Sequence, residues 1–320
     1  MYKVEDGIEK LCDKYEGFIR RDGYYIRPMI QRIRAVQMDI LKQIDRVCQT
    51  HEIQWFVDWG TLLGAVREHG YIPWDDDLDI SMCRVDFERF KHYALEELPK
   101  EYNSHIERGA HLRDLVFCIN NGRGVNTSTD YLIKNHGCPY TVGVDIFVYD
   151  NVPDDLAERD NWLTMFSYTF AAAQELGPNE TYDDCSKEIR EWINISEKMT
   201  GIKTEKNKPL KGKMVTLSDQ IAAMYYDEKP EYIAIVGYLP LGEKYLFRKT
   251  WIEKTIRVPF EDMMVPIPKG YKEILERWYG EDYMIPKEYH EHDSDVLRQE
   301  RALQDWYKER GMAVPLLFKN

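Results

Sequence analysis

Four aspartates within five positions form the strongest chemical signal in this sequence. They are Asp75, Asp76, Asp77 and Asp79. Carboxylates this close repel one another, so either their pKa values rise or a cation lies among them. If the segment around Leu78 is a strand, Asp77 and Asp79 point to the same face. Two carboxylates on one face of a strand are suitable ligands for a hard divalent ion such as Mg²⁺ or Mn²⁺.

The alternative is a solvated acidic turn after Pro73. We favour the metal site, because an apolar residue separates the acids and the strand-like segment Ile80-Ser81-Met82 follows them.

A second polar segment precedes the acidic one. Residues 53–57 are typical of a short strand, and Gly60-Thr61 is typical of a tight turn into a helix that runs through Arg67. Free N–H groups at a helix N-terminus bind anions, the Thr61 hydroxyl adds a further contact, and Arg67 offers a planar fork for phosphate oxygens. The alternatives are an ordinary turn and a surface salt bridge for Arg67. A phosphate site beside a metal site is what phosphoryl or nucleotidyl transfer requires.

A further carboxylate lies inside an apolar run at residues 141–150. Asp145 is flanked there by Val144 and Ile146. A carboxylate in an apolar strand is costly unless it is paired, protonated or coordinated. We therefore interpret Asp145 as a third metal ligand, with a salt-bridged strand aspartate as the alternative.

These segments resemble a known family. The segment Gly60-Thr61-Leu62-Leu63-Gly64-Ala65-Val66-Arg67, followed by Ile72-Pro73-Trp74-Asp75-Asp76-Asp77-Leu78-Asp79-Ile80, is similar to the motif of the LicD family, which fukutin and fukutin-related protein share. The resemblance covers residues 31–150 well and the C-terminal third loosely. It places the chain in the nucleotidyltransferase superfamily of the polymerase-β type.

The resemblance also implies roles for particular residues. The metal-binding and catalytic carboxylates would be Asp77, Asp79 and Asp145, and Asp145 would also help to remove the acceptor hydroxyl proton. The substrate-binding residues would be Gly60, Thr61, Gly64, Arg67, Asp75 and Asp76.

The expected fold is α/β, with a small mixed sheet flanked by helices and a C-terminal extension of helices and short strands. We expect an N-terminal cap at 1–30, a catalytic core at 31–153 and an extension at 154–320 that closes over the site. Apolar residues recur at helical spacing between residues 30 and 50, which predicts a helix with one face in the core. That face contains Ile33, Val36, Ile40, Ile44 and Val47.

Composition limits the class of protein. The chain has 320 residues, 43% hydrophobic and 31% charged, with a net charge of -13, which argues against general nucleic-acid binding. Six cysteines without a CxxC pair indicate reduced thiols in a cytoplasm. Neither a signal-peptide pattern nor a long apolar run occurs. We expect a cytoplasmic protein that meets a membrane only from its inner face, in an oligomeric state that the sequence does not define.

The resemblance implies a transferase that moves a phospho-alcohol, such as phosphocholine from CDP-choline, to a sugar hydroxyl of a lipopolysaccharide, teichoic acid or similar surface glycan precursor. The acceptor would be a glycan or a lipid-linked sugar. The alternatives are a nucleotidyltransferase that adds a nucleotide monophosphate and an inactive scaffold. The complete set of three carboxylates argues against the scaffold. Trp55, Trp59, Trp74 and Tyr140 are available for an aromatic cage around choline, although we favour a core role for each.

Four further features have open interpretations. Arg84 is either a carboxylate partner, which we favour, or a phosphate ligand. Glu261 holds an acceptor hydroxyl or a basic side chain, or is structural. The lysines of 203–213 form a solvated linker or an anion-attracting strip, and His290 with His292 is an improbable metal pair.

Overall fold

The computed structural model describes residues 14–15, 19–21, 23–105, 115–287, 294–315 and 318. Within these ranges the helices are α1 (Pro28–Thr50), α2 (Trp59–Arg67), α3 (Arg84–Glu97), α4 (Thr129–Lys134), α5 (Leu156–Glu175), α6 (Lys187–Thr200), α7 (Lys211–Ala222), α8 (Tyr271–Tyr279) and α9 (Ser294–Glu309). The strands are β1 (Ile19–Arg21), β2 (Tyr24–Ile26), β3 (Phe56–Val57), β4 (Asp79–Cys83), β5 (Asn103–His105), β6 (Phe117–Asn120), β7 (Gly143–Val152), β8 (Tyr232–Ala234), β9 (Leu246–Arg248), β10 (Thr255–Phe260) and β11 (Met263–Pro268).

The central sheet is mixed. Its strand order is β3-β4-β7-β6-β5, and β8 and β9 extend it from the far end of β7. β4 and β7 are parallel, whereas the other neighbouring pairs are antiparallel. β1 with β2 and β10 with β11 form separate antiparallel pairs. This mixed sheet with helices around it, followed by C-terminal helices and short strands, confirms the predicted fold class.

Helix α1 is the long core helix that the sequence pattern predicted. The five residues of its predicted apolar face are all buried. Pro28 begins the helix at a position where its missing N–H group costs nothing. The periodicity therefore identified both the helix and the side that packs on the core.

The C-terminal extension is joined to the core through the sheet. Residues 150–152 at the end of β7 pair with β8, and β8 pairs with β9. Arg84 adds a second connection, because it lies 2.7 Å from Asp150 on β7 and 2.9 Å from Asp219 on α7. Arg84 is thus a carboxylate partner, as favoured, but its partners lie outside the acidic loop.

The lysines of 203–213 make local contacts. Lys203 pairs with Glu197, Lys208 pairs with Glu205, and the ammonium of Lys206 lies 3.8 Å from the centroid of the Tyr182 ring. His290 and His292 lie outside the described residues.

The cysteines that the structure describes, at positions 48, 83, 118, 138 and 185, are free thiols; Cys12 lies outside the described ranges. Among the described helices, none combines the length and the apolar character needed to cross a membrane.

The buried ion pairs of Arg84 lead to a stability prediction. Arg84→Met leaves Asp150 and Asp219 buried without their cation, so we expect the free energy of unfolding to fall by about 3–5 kcal/mol in urea titrations. The exposed pair of Arg248 with Glu231 provides a control, and Arg248→Met should cost less than about 1 kcal/mol. Equal losses in the two variants would contradict the assignment.

Candidate active site

Helix α1 fixes the acidic loop through its backbone. The Arg34 guanidinium donates to the carbonyl oxygens of Ile72 (2.9 Å), Pro73 (3.0 Å) and Asp75 (3.1 Å). One turn further on, the Gln37 amide donates to the carbonyl oxygen of Asp76 at 2.8 Å. These bonds satisfy buried carbonyl groups and set the path of the loop. Because these hydrogen bonds end on backbone oxygens, they position the loop without occupying the aspartate side chains.

Two of the predicted ligands lie side by side on parallel strands. Asp79 begins β4, and its Cα partner in the parallel register is Asp145 on β7. Paired residues of neighbouring strands share a face and are about 4.8 Å apart. The Asp145 N–H donates to the Leu78 carbonyl oxygen at 3.0 Å, which fixes this register. The Cys118 thiol on β6 hydrogen-bonds the Asp145 carboxylate.

A cavity of about 390 Å³ opens beside these carboxylates. Asp75, Asp77 and Asp79 are among its lining residues, as are Gly60 and Arg67. Asp145 does not line it, although its side chain is half-buried next to Asp79. The volume lies within the range of small-molecule sites, roughly 300–1,000 Å³.

Nearby positive charge offsets the repulsion among these carboxylates only in part, because the Arg34 guanidinium lowers the pKa of Asp75 by less than burial and the neighbouring carboxylates raise it. Burial, followed by repulsion from Asp77, raises the pKa of Asp75 to about 8. The pKa of Asp79 is raised well above its usual range, first by burial and then by the charges of Asp77 and Asp145. Burial also raises the pKa of Asp145, against the lowering effect of the Cys118 hydrogen bond. The cluster therefore favours a bound cation or proton.

The donor chemistry suits a hard cation. Carboxylate oxygens on two strands and one loop are the ligands that Mg²⁺ and Mn²⁺ prefer. Within the described part of the chain, no three His, Cys, Asp or Glu side chains are already arranged as a metal site. Asp77, Asp79 and Asp145 would have to converge on an ion, and relief of their repulsion favours that movement.

Three residues predicted to bind substrate make contacts within the protein. Thr61 is buried, and its hydroxyl oxygen accepts a hydrogen bond from the Asp79 N–H at 2.9 Å. A Cβ atom at Gly64 would lie 2.4 Å from the carbonyl oxygen of Gly70, so this glycine allows α2 to pack against the following loop. Arg67 lines the cavity but pairs with Glu68 at 2.6 Å and donates to the Tyr283 carbonyl oxygen at 3.1 Å.

Gly60, in the same motif, also faces the site. It lines the cavity, and a Cβ atom there would lie 2.7 Å from Oδ2 of Asp75. A side chain at position 60 would therefore displace the Asp75 carboxylate. Asp76 is positioned through its backbone and is not among the lining residues.

The aromatic residues of the cavity differ from those proposed for the cage. Trp55 is a core residue whose indole N–H donates to Asp45 at 3.2 Å, and Tyr140 lies in a different cavity. Trp59 and Trp74 do line the cavity, and the sequence analysis missed the other aromatic residues there. These are Phe147, Tyr238 and Tyr279.

Trp59 connects the cavity to the extension. Its ring stacks on that of Trp278 with a centroid separation of 4.3 Å and an interplanar angle of 3°. Its φ of +48° is in the left-handed region, which is unfavourable for a bulky residue. Two contacts stabilise this conformation, the stacking on Trp278 and a hydrogen bond from the Trp59 N–H to the Asp58 carboxylate. Backbone strain of this kind concentrates at functional sites.

A buried carboxylate behind the cavity organises the start of α2. Asp58 accepts hydrogen bonds from the Trp59 N–H (3.0 Å), the Ser81 hydroxyl (2.6 Å) and the Tyr149 hydroxyl (3.0 Å). Burial raises the pKa of Asp58 to about 7, against the lowering effect of these hydrogen bonds. The sequence analysis did not single out Asp58, although its position before a helix is that of an N-cap.

Glu261 also has a structural contact. Its carboxylate accepts a hydrogen bond from the Tyr71 N–H at 3.0 Å, so it secures the loop that precedes the aspartates.

Comparison with known proteins agrees with this geometry. Residues 52–174 match the family model described as LicD/FKTN/FKRP, nucleotidyltransferase domain. Among curated proteins, it is 24% identical over 265 residues to the lipopolysaccharide cholinephosphotransferase LicD of Haemophilus influenzae, covering 80% of this chain and 91% of that protein. An uncharacterised protein of Rickettsia typhi is 25% identical over 169 residues, covering 51% of this chain and 50% of that protein.

The Asp58 pKa predicts a pH effect on stability. An unfolded aspartate titrates near pH 4, so between about pH 4 and 7 the folded protein binds more protons and its stability falls as pH rises. Asp58→Asn removes the titrating carboxyl group. The free energy of unfolding of the variant minus that of the wild type should therefore rise by up to about 4 kcal/mol between about pH 4 and pH 7. The exposed Asp160 serves as a control, because the difference for Asp160→Asn should stay nearly constant. A constant difference for Asp58→Asn would refute the assignment.

The carboxylate cluster predicts stabilisation by metal. Mg²⁺ or Mn²⁺ that binds only the folded protein raises the melting temperature by mass action. We expect this shift in thermal unfolding of the wild type and of Asp160→Asn, and its loss in Asp79→Asn. An undiminished shift in Asp79→Asn would place the ion elsewhere.

Proposed function

We propose that the chain is a metal-dependent transferase that moves a phosphocholine-like group from a CDP-activated donor to a sugar hydroxyl of a cell-surface glycan precursor. The observation that carries the proposal is the parallel pairing of Asp79 with Asp145 beside a cavity that combines carboxylates with aromatic rings. The similarity to the lipopolysaccharide cholinephosphotransferase of Haemophilus influenzae supports the choice of phosphocholine.

The carboxylates have two roles in the proposed reaction, metal binding and removal of a proton. Asp77, Asp79 and Asp145 would hold Mg²⁺ or Mn²⁺, which when bound neutralises charge on the diphosphate and on the leaving nucleotide. Asp145 is half-buried beside the other acids, and its raised pKa suits a general base. The acceptor oxygen bonds to phosphorus as its proton passes to Asp145, and the bond from phosphorus to CMP breaks with its electrons on CMP.

The aromatic wall would select the transferred group. Trp59, Trp74 and Tyr238 line the cavity together with Asp75 and Asp77. Aromatic faces attract quaternary ammonium ions, and desolvated contacts of this kind contribute about 2 kcal/mol. Choline carries such a cation, whereas glycerol and ribitol do not. We place the reaction at the cytoplasmic face of a membrane, where a glycan or lipid-linked sugar is accessible from the protein surface.

A donor panel tests the proposal. The protein is incubated with Mg²⁺, a glycan acceptor and one of CDP-choline, CDP-ethanolamine, CDP-glycerol or CDP-ribitol, and CMP release is measured together with product mass. We expect CDP-choline to be turned over fastest. Asp77→Ala should reduce turnover at least 10³-fold while it retains the fold, because it removes charge stabilisation of the transition state. Asp160→Ala, on the exposed surface, should retain wild-type turnover.

Two results would reject the proposal. Product that has gained a nucleotide, rather than a phospho-alcohol, would identify a nucleotidyltransferase. Full turnover by Asp77→Ala would remove the acidic cluster from the chemistry.

A further inference from the structure

A second cavity, which we call the α9 cleft, lies between helix α9 and the segment that joins β6 to β7. Its volume is about 420 Å³, which is within the range of small-molecule sites. Its apolar lining consists of Val125, Ala302, Leu303 and Trp306. None of these residues belongs to the acidic cavity, so the α9 cleft is a distinct site.

One polar group in the α9 cleft lacks a partner. Tyr140 lines the cleft and is 3% exposed, and among the described residues its hydroxyl makes no hydrogen bond. A buried hydroxyl without a partner costs about 1–3 kcal/mol, so such groups in native proteins require an explanation. Burial raises the pKa of Tyr140, so the hydroxyl keeps its proton and can donate to a ligand oxygen.

The mouth of the α9 cleft is also apolar. Val125 is 61% exposed and Trp306 is 42% exposed, on opposite sides of the cleft. The polar residues that line the α9 cleft are Thr127, Gln299 and Tyr140. A ligand that matches this lining is mainly aliphatic and carries an oxygen atom near one end.

The α9 cleft and the candidate active site share one end of the sheet. Tyr140 precedes Asp145 by five residues, which span at most about 17 Å of extended chain. Gly143 at the start of β7 pairs with Asn120 at the end of β6, so the segment carrying Val125 and Thr127 leaves the sheet at the same edge. The α9 cleft and Asp145 therefore lie at the same edge of the sheet.

We propose that the α9 cleft binds the aliphatic chain of a lipid-linked sugar acceptor, with the Tyr140 hydroxyl donating a hydrogen bond to the oxygen at the head of that chain. The inference rests on the proposed function, because it assigns the acceptor of that reaction to the lipid-linked class. The chain bound in the cleft would hold the sugar near Asp145.

The test is a calorimetric titration of the full chain with glucose and with hexyl, octyl and decyl glucoside, each below its micelle concentration. Each buried methylene should raise the affinity about fourfold until the cleft is full. Ala302→Trp fills the cleft and should abolish this dependence on chain length. Arg301→Trp makes the same addition on α9 outside the cleft and should leave the dependence unchanged.

Tyr140→Phe gives an independent readout. It should weaken binding of each alkyl glucoside about fivefold, which corresponds to one lost hydrogen bond. It should not lower the melting temperature of the free protein, because the hydroxyl has no hydrogen-bond partner among the described residues. This variant keeps the test decisive if Ala302→Trp does not fold.

The outcomes separate the two proposals. Equal chain-length dependence in wild type and Ala302→Trp, or no binding of alkyl glucosides to the wild type, would overturn the cleft assignment. If the glucosides bind as expected but no CDP-activated donor is consumed, the cleft is a lipid-chain site and the proposed transfer reaction is wrong. If CMP is released but Tyr140→Phe binds the glucosides as wild type does, the reaction stands and the role of Tyr140 is rejected.

Discussion

Repulsion among the buried carboxylates is the constraint that the surrounding structure has to overcome. Arg34 and Gln37 hold the acidic loop through its carbonyl oxygens, and the Thr61 hydroxyl holds the Asp79 N–H. These anchors fix the loop through its backbone, and the charge of Arg34 offsets the repulsion at Asp75 only in part. The unfavourable charge therefore remains available to stabilise a bound cation, at a cost to the stability of the metal-free protein.

Strand β7 connects this cluster to the rest of the molecule. Its first half carries Asp145 in register with Asp79, and its last residues pair with β8 of the extension. Tyr149, between these parts, donates to Asp58, and Asp150, the first residue of β7 that pairs with β8, also pairs with Arg84. One strand thus carries a carboxylate of the cluster and the contacts that join the core to the extension.

The sequence predicted only part of the site from neighbouring residues. The cost of a charge in an apolar run singled out Asp145, which is in register with Asp79. The expected alternation of Asp77 and Asp79 along one strand was wrong, because β4 begins only at Asp79. The roles predicted for Thr61 and Arg67 depended on partners distant in the chain. The Thr61 hydroxyl instead meets a backbone group 18 positions away, and Arg67 contacts a carbonyl group 216 positions away. Local conformation is encoded in neighbouring residues, whereas such partners are selected by tertiary packing.

The aromatic wall shows the same limit. Tyr238 and Tyr279 come from the extension, far from the motif that carries the aspartates, and Trp278 holds Trp59 in its strained conformation. In the proposed reaction, the acidic cluster of the core would neutralise charge on the diphosphate. The rings that would contact the alcohol come from both parts of the chain, with Trp59, Trp74 and Phe147 in the core and Tyr238 and Tyr279 in the extension.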